Sequence, residues 1–185
     1  MNKRMRAWTV LLSTICAMAA QADVIFDNGG TLLLGGLVST VDTHFIVADN
    51  FVLGEGSDIL SDIHWFGYYA EGTVPTTDSF SVYIYSDAGG APGTALFTYT
   101  NPVLRTDTGD LTFGAYNEFE YQMDIDPLGL TAGTTYWLGI QSNVDSNDSN
   151  WFWSIANFSG GDAHQKLQNW TNYEVEEAFY LTGPS

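Results

Sequence analysis

Aromatic rings and carboxylates are the side chains of this sequence that could do chemistry. Tyr83, Tyr85 and Trp137 recur at alternate positions, opposite Phe80, Val82, Ile84, Leu138 and Ile140. In an extended chain alternate side chains share a face, so these rings occupy the face turned away from the apolar one. A flat patch of rings suits stacking on sugar rings. Gln141, Glu118 and Glu120 would read the hydroxyls, and Tyr180 is a further candidate for the same face. The competing reading is that loops cover the patch, or that the rings only reflect the preference of aromatic residues for strands. Trp170 lies in a polar stretch, 165–173, and fits either a ligand contact or a lid on the core. Trp65, Trp151 and Trp153 share faces with Ile63 and Ile155, which points them inward.

Among the carboxylates, Asp145, Asn147 and Asp148 sit in an oxygen-rich run, 145–150, that resembles the start of a calcium loop. The glycine expected at its sixth position is Asn150, and the glutamate expected at its twelfth is Ala156, so it is not an EF-hand. As a plain polar turn it needs no metal. Asp49 with Asn50, and Asp124 with Asp126, are other oxygen pairs. Ca2+ is therefore the one cofactor the residues suggest. His44, His64 and His164 are scattered, although Asp62 and His64 share a strand face on which a carboxylate could orient an imidazole. No G-x-S-x-G, H-E-x-x-H or CxxC accompanies them. Glycosidase chemistry needs only two suitably spaced carboxylates, and 22 acidic residues are present. Spacing along the chain does not reveal such a pair.

The elements that would position these residues read as strands. Period-2 alternation runs through Phe80–Tyr85, Glu118–Asp124, Thr135–Gln141 and Phe179–Thr182. Further strands are predicted at Val24–Asp27, Thr43–Val47, Asn50–Leu53, Ile59–Tyr69, Ala95–Tyr99 and Trp151–Ala156. Turns are predicted at 28–30, 54–56, 89–93, 108–110 and 160–161. The stretch 29–40, rich in Gly and Leu, reads as a strand pair or a loosely packed arm. Many short strands with regular turns predict an all-β, two-sheet antiparallel sandwich of jelly-roll type.

The N-terminus reads as a secretory signal peptide. Lys3, Arg4 and Arg6 precede a short apolar run that ends in small residues. Cleavage after Ala22 leaves residues 23–185 as a single domain. It also removes Cys16, the only cysteine, so a packed core rather than a disulfide must hold the domain together. The 22 acidic residues then face two basic ones, Arg105 and Lys166. Such a charge excludes nucleic acid as a partner and favours cations in the surroundings.

Several stretches resemble a family of bacterial exported domains. Residues 47–53 (VADNFVL) are similar to its A-D-D-F-x-L strand, and 63–69 (IHWFGYY) to its aromatic strand. Residues 80–93 (FSVYIYSDAGGAPG) are similar to its long hairpin. Residues 134–140 (TTYWLGI), 151–153 (WFW) and 178–183 (AFYLTG) follow in the same order. These are the marks of PEP-CTERM-type, or choice-of-anchor, proteins. The resemblance implies a secreted bacterial β-sandwich and carries no activity with it. Family members continue into a Pro-Glu-Pro motif, an apolar span and a basic tail. Residues up to Ser185 show none of these, so release outside the cell is expected. The leading expectation is a non-catalytic protein that binds polysaccharide or forms part of an extracellular matrix, without a membrane span in the mature chain. One alternative is a structural subunit that assembles with copies of itself, donating the arm 29–40 to a neighbour's strand edge. The other is a small glycan-cleaving enzyme.

Overall fold

A computed structural model describes residues 22–70, 73–144, 149–157 and 161–184. The predicted leader, apart from Ala22, and the proposed calcium ligands Asp145, Asn147 and Asp148 lie outside the described residues.

The described residues form thirteen strands and one short 3-10 turn, Val41–Thr43. The strands are β1 (Ala22–Asp27), β2 (Thr31–Val38), β3 (Ile46–Val52), β4 (Ile59–Ala70), β5 (Phe80–Asp87), β6 (Pro92–Tyr99) and β7 (Leu104–Thr112). They continue with β8 (Tyr116–Gly129), β9 (Thr135–Ser142), β10 (Asn150–Ala156), β11 (His164–Lys166), β12 (Trp170–Asn172) and β13 (Phe179–Pro184). They build two antiparallel sheets. A six-stranded sheet runs β12-β11-β3-β9-β5-β6. The seven-stranded sheet centres on β4, which pairs with β8 along one edge; its other edge is shared by β13 and β10. β1 and β13 beside β4 and β8, facing β3, β9, β5 and β6, is the strand order of a jelly roll. The expected all-β sandwich is therefore the observed fold.

Alternation determines what lies between the sheets. Val47, Phe51, Val82, Ile84, Leu138 and Ile140 from one sheet meet Ile63, Trp65, Tyr121, Met123, Trp151, Trp153, Phe179 and Leu181 from the other. Trp65, Trp151 and Trp153 are core residues, as their spacing predicts. Tyr121 stacks on Trp65 at 5.6 Å, and Phe80 packs edge-on against Trp151 at 4.9 Å. Rings this large bury much apolar area per residue, which suits a domain without disulfides.

Some elements differ from expectation. The predicted strands 43–47 and 50–53 are one strand, β3, because Ala48 and Asp49 continue the ladder to β9 without a break. The arm 29–40 is a single strand, β2, paired with β10 of its own chain. Its end then crosses to the other sheet, where Ser39 Oγ donates to the Ile140 carbonyl at 2.5 Å. The predicted turn 108–110 lies inside β7, where the register to β8 slips between Asp107 and Leu111. The bulge meets the need of Gly109 for positive φ (82°) without ending the strand.

Candidate functional site

The aromatic residues singled out from the sequence come together, but they do not form an open platform. Tyr83, Tyr85, Trp137 and Gln141 lie on the outer face of the six-stranded sheet, with Ala48 and Ile46 of β3. Tyr83 stacks on Tyr85 at 5.6 Å, and Trp170 meets Tyr85 edge-on at 5.6 Å. In a flat sheet β12 would stand four strand spacings from β5, roughly 19 Å away. The β11–β12 hairpin therefore folds back over the sheet to bring Trp170 there. Its His164 packs edge-on against the Trp137 indole at 4.9 Å.

The expectation that Trp137 is an exposed stacking ring is corrected by this cover: it is 1% exposed, and its indole N–H donates to Asp87 Oδ1 at 3.0 Å. Tyr85 is 8% exposed, and burial pushes its hydroxyl pKa above the ordinary range. Tyr83, Gln141 and Trp170 are half-buried. Gln141 uses its amide to reach the Phe45 carbonyl at 2.8 Å, and Lys166 lies over the Trp170 ring at 5.4 Å.

Tyr180, Glu118 and Glu120 are not on this face. They belong to β13 and β8, on the outer face of the seven-stranded sheet. There the strand register lines up a polar row. Tyr180 stands beside His64, which stands beside Gln122, which stands beside Leu104. The adjoining row is Thr182, Asp62 and Asp124. The His64 and Tyr180 rings stack at 4.1 Å, nearly parallel at 10°. The Tyr180 hydroxyl donates to Glu120 Oε1 at 2.6 Å. The same carboxylate oxygen lies 3.5 Å from His64 Nδ1, without the alignment of a full hydrogen bond. Burial holds the His64 pKa below the ordinary histidine range, and Glu120 offsets part of that. Burial thus favours the neutral form of the His64 ring.

Asp62 is held by its neighbours. Ser61 Oγ and Thr182 Oγ1 donate to its Oδ2 at 2.7 and 3.0 Å. Burial alone would raise its pKa, but these hydrogen bonds outweigh it and hold the carboxyl below the usual range. Gln122 Nε2 donates to Asp124 Oδ1 at 2.9 Å. Beyond this pair the face opens into a cleft of ≈ 290 Å3, lined by Pro102, Val103, Leu104, Gln122 and Asp124. The row offers the half-buried Tyr180 ring, backed by the buried His64, with fixed carboxylate acceptors and an amide on adjacent strands. Such a set can bind a neutral polyhydroxyl ligand: acceptors take hydroxyl protons, and ring faces take the apolar side of a sugar.

The pairing of His64 with Asp62 on one face was legible from the sequence. Asp124 was singled out only as an oxygen pair with Asp126, and Gln122 and Thr182 not at all, although each continues the outward parity of its strand. Among the described residues no three histidine or acidic side chains converge as a metal-binding group. Among them, too, no helix is long and apolar enough to cross a membrane.

Fold and face together define a jelly-roll sandwich with a polar, ring-lined outer sheet. No protein-family model matches the chain, and no curated protein matches it in sequence. Its structure is similar to that of the cysteine protease and lectin-like domains of Cwp84, a surface layer associated protein of Clostridium difficile. The TM-score is 0.50 at 12% identity, covering 76% of this chain and 32% of that one. The chain thus spans about a third of that structure's length, and a likeness at this identity is a likeness of fold.

Proposed function

We propose that this chain is an exported, non-catalytic carbohydrate-binding domain that uses the outer face of its seven-stranded sheet. The observation that carries the reading is the row of Tyr180, His64 and Gln122 beside the cleft. It combines rings with pre-ordered acceptors on a surface built from three adjacent strands. The basic and apolar leader supports export, and so does the family resemblance of the strand motifs. The lectin-like part of the fold neighbour, itself surface-layer associated, is in keeping with a glycan ligand outside the cell.

Affinity electrophoresis through gels containing single polysaccharides tests the proposal. The wild-type chain is retarded by at least one neutral glycan, while Gln122→Ala and Tyr180→Ala run as in a blank gel. Tyr83→Ala remains retarded. Retardation lost with Tyr83→Ala, and kept with the other two, would move the site to the six-stranded sheet.

One observation favours a second reading, self-assembly. β6 is an edge strand whose residues 94–98 are all exposed and which carries no charged side chain. Natural edges are commonly blunted by charge. On this reading the free edge is β6 rather than the arm 29–40, which is paired within its own chain. High-mass species forming without any glycan would support it.

A further inference from the structure

A carboxyl group is enclosed where the segment before β13 meets β3. Glu177, which bridges Ile155 of β10, and Asp49 of β3 are both 0% exposed. Their surroundings differ. Asp49 is supplied with donors. The Glu177 backbone N–H reaches its Oδ2 at 2.6 Å, the Asn50 N–H its Oδ1 at 2.8 Å and the Asn28 amide its Oδ2 at 3.1 Å. The Glu177 carboxyl has none: both of its oxygens are buried without a hydrogen-bond partner among the described residues.

Neighbouring groups do not stabilise an anion there either. Those within electrostatic reach are Asp49 from β3, Glu176 from its own segment and the Tyr68 hydroxyl from β4, and none of them is a cation. Among the described residues the only Lys and Arg side chains are engaged elsewhere: Arg105 pairs with Asp78 at 3.0 Å, and Lys166 lies over Trp170. A carboxylate withdrawn from water with neither donor nor cation is strongly unfavourable, and such a group takes up a proton instead.

We propose that Glu177 is a neutral carboxylic acid in the folded chain at neutral pH, and that its ionisation releases the segment 173–178 that leads into β13. That segment ties the two sheets together. Its Glu177 N–H is bonded to Asp49 in the six-stranded sheet. On the other side the Ala156 N–H donates to the Glu176 carbonyl, and the Ala178 N–H to the Ser154 carbonyl, both at 2.7 Å, which fixes it to β10 of the seven-stranded sheet. A charge on Glu177 reaches water only by parting these bonds. Burial, with repulsion from Asp49 and Glu176, pushes the Glu177 pKa above the ordinary glutamate range. Above that range, and up to the folded value, the folded chain binds more protons than the unfolded one. The stabilisation is therefore present in acid and is lost as pH rises through that window. The device closes in acid and loosens in base, the reverse of His64.

The test is a carboxyl 13C NMR titration of the full chain, with Glu177 assigned through bonds to its own amide. It is paired with denaturant unfolding of the wild type and Glu177→Gln over the same range, about pH 4 to 9. The Glu177 carboxyl is expected to keep its protonated shift at pH 7, where exposed Glu55 has already titrated. The unfolding constant of the wild type, relative to Glu177→Gln, is expected to rise about tenfold per pH unit between the ordinary glutamate range and the Glu177 midpoint. Above that midpoint the amides of Ala156, Glu177 and Ala178 are expected to lose exchange protection before those of Leu138 and Ile140 in β9. A Glu177 carboxyl that titrates together with Glu55 overturns the proposal, and so do unfolding constants that run parallel. Protection that holds at Ala156, Glu177 and Ala178 after Glu177 has ionised overturns the release.

Discussion

Trp137 shows why a strand face is not the same as a surface. Its side chain points away from the main core, as alternation requires, and is nonetheless enclosed by His164, Tyr85 and its bond to Asp87. Trp137→Ala is therefore expected to behave as a core truncation, lowering unfolding free energy by about 3–5 kcal/mol in denaturant titrations. A change below about 1 kcal/mol would place the indole in solvent after all. His64 supplies a pH signature. Burial lowers its pKa in the folded chain, so below the unfolded value of about 6.5 the unfolded chain binds more protons. Its contribution is thus lost as pH falls through that range. The buried Glu118, with its pKa raised by burial, works in the opposite direction, so the comparison must be with His64→Gln. Between about pH 7.5 and 5.5 the wild type should lose more melting temperature than the variant. Equal slopes would mean that Glu120 cancels the burial of His64.

At the scale of elements, close approach of strands restricts side-chain size at a few points. Gly67 of β4 lies against β10, where an added Cβ would come 2.5 Å from the Trp151 ring and 2.6 Å from the Phe152 carbonyl. The obstacle is backbone and a core indole, so neither can move easily. Gly67→Ala should destabilise by about 1–3 kcal/mol or more, measured by melting, while a change at open Gly54 should not. Most strands were legible because alternation is a local signal: β5, β8, β9 and β10 lie where the pattern predicts. Assignment of strands to sheets was not, because pairing joins residues far apart in sequence. That is why Glu118, Glu120 and Tyr180 were grouped with Tyr83 although they stand on the opposite sheet. The fold-back of β11–β12 left no pattern, since each is three residues long. Two fully buried acids, Asp49 and Glu177, did leave a signal. Asp49 shares parity with Val47 and Phe51, and Glu177 with Phe179 and Leu181.

At the scale of the whole molecule, an acidic chain with few cations has to recognise its partner without charge attraction to anions. Neutral hydroxyls suit it, because carboxylates already fixed by hydrogen bonds accept protons without further ordering. The outward-pointing rings behave differently on the two faces: Tyr85 and Trp137 are packed beneath their own hairpin, whereas Tyr180 stands in a row with Gln122, which lines an open cleft. The central claim is that a glycan binds the second. Amide chemical-shift mapping of the labelled protein, titrated with a glycan that retards it in gels, tests this most directly. The account predicts that the perturbed amides cluster on β13, β4 and β8 around Tyr180, His64 and Gln122, with those of β5 and β9 unmoved. Perturbations centred on Tyr83, Gln141 and Trp170, with the His64 row silent, would contradict it.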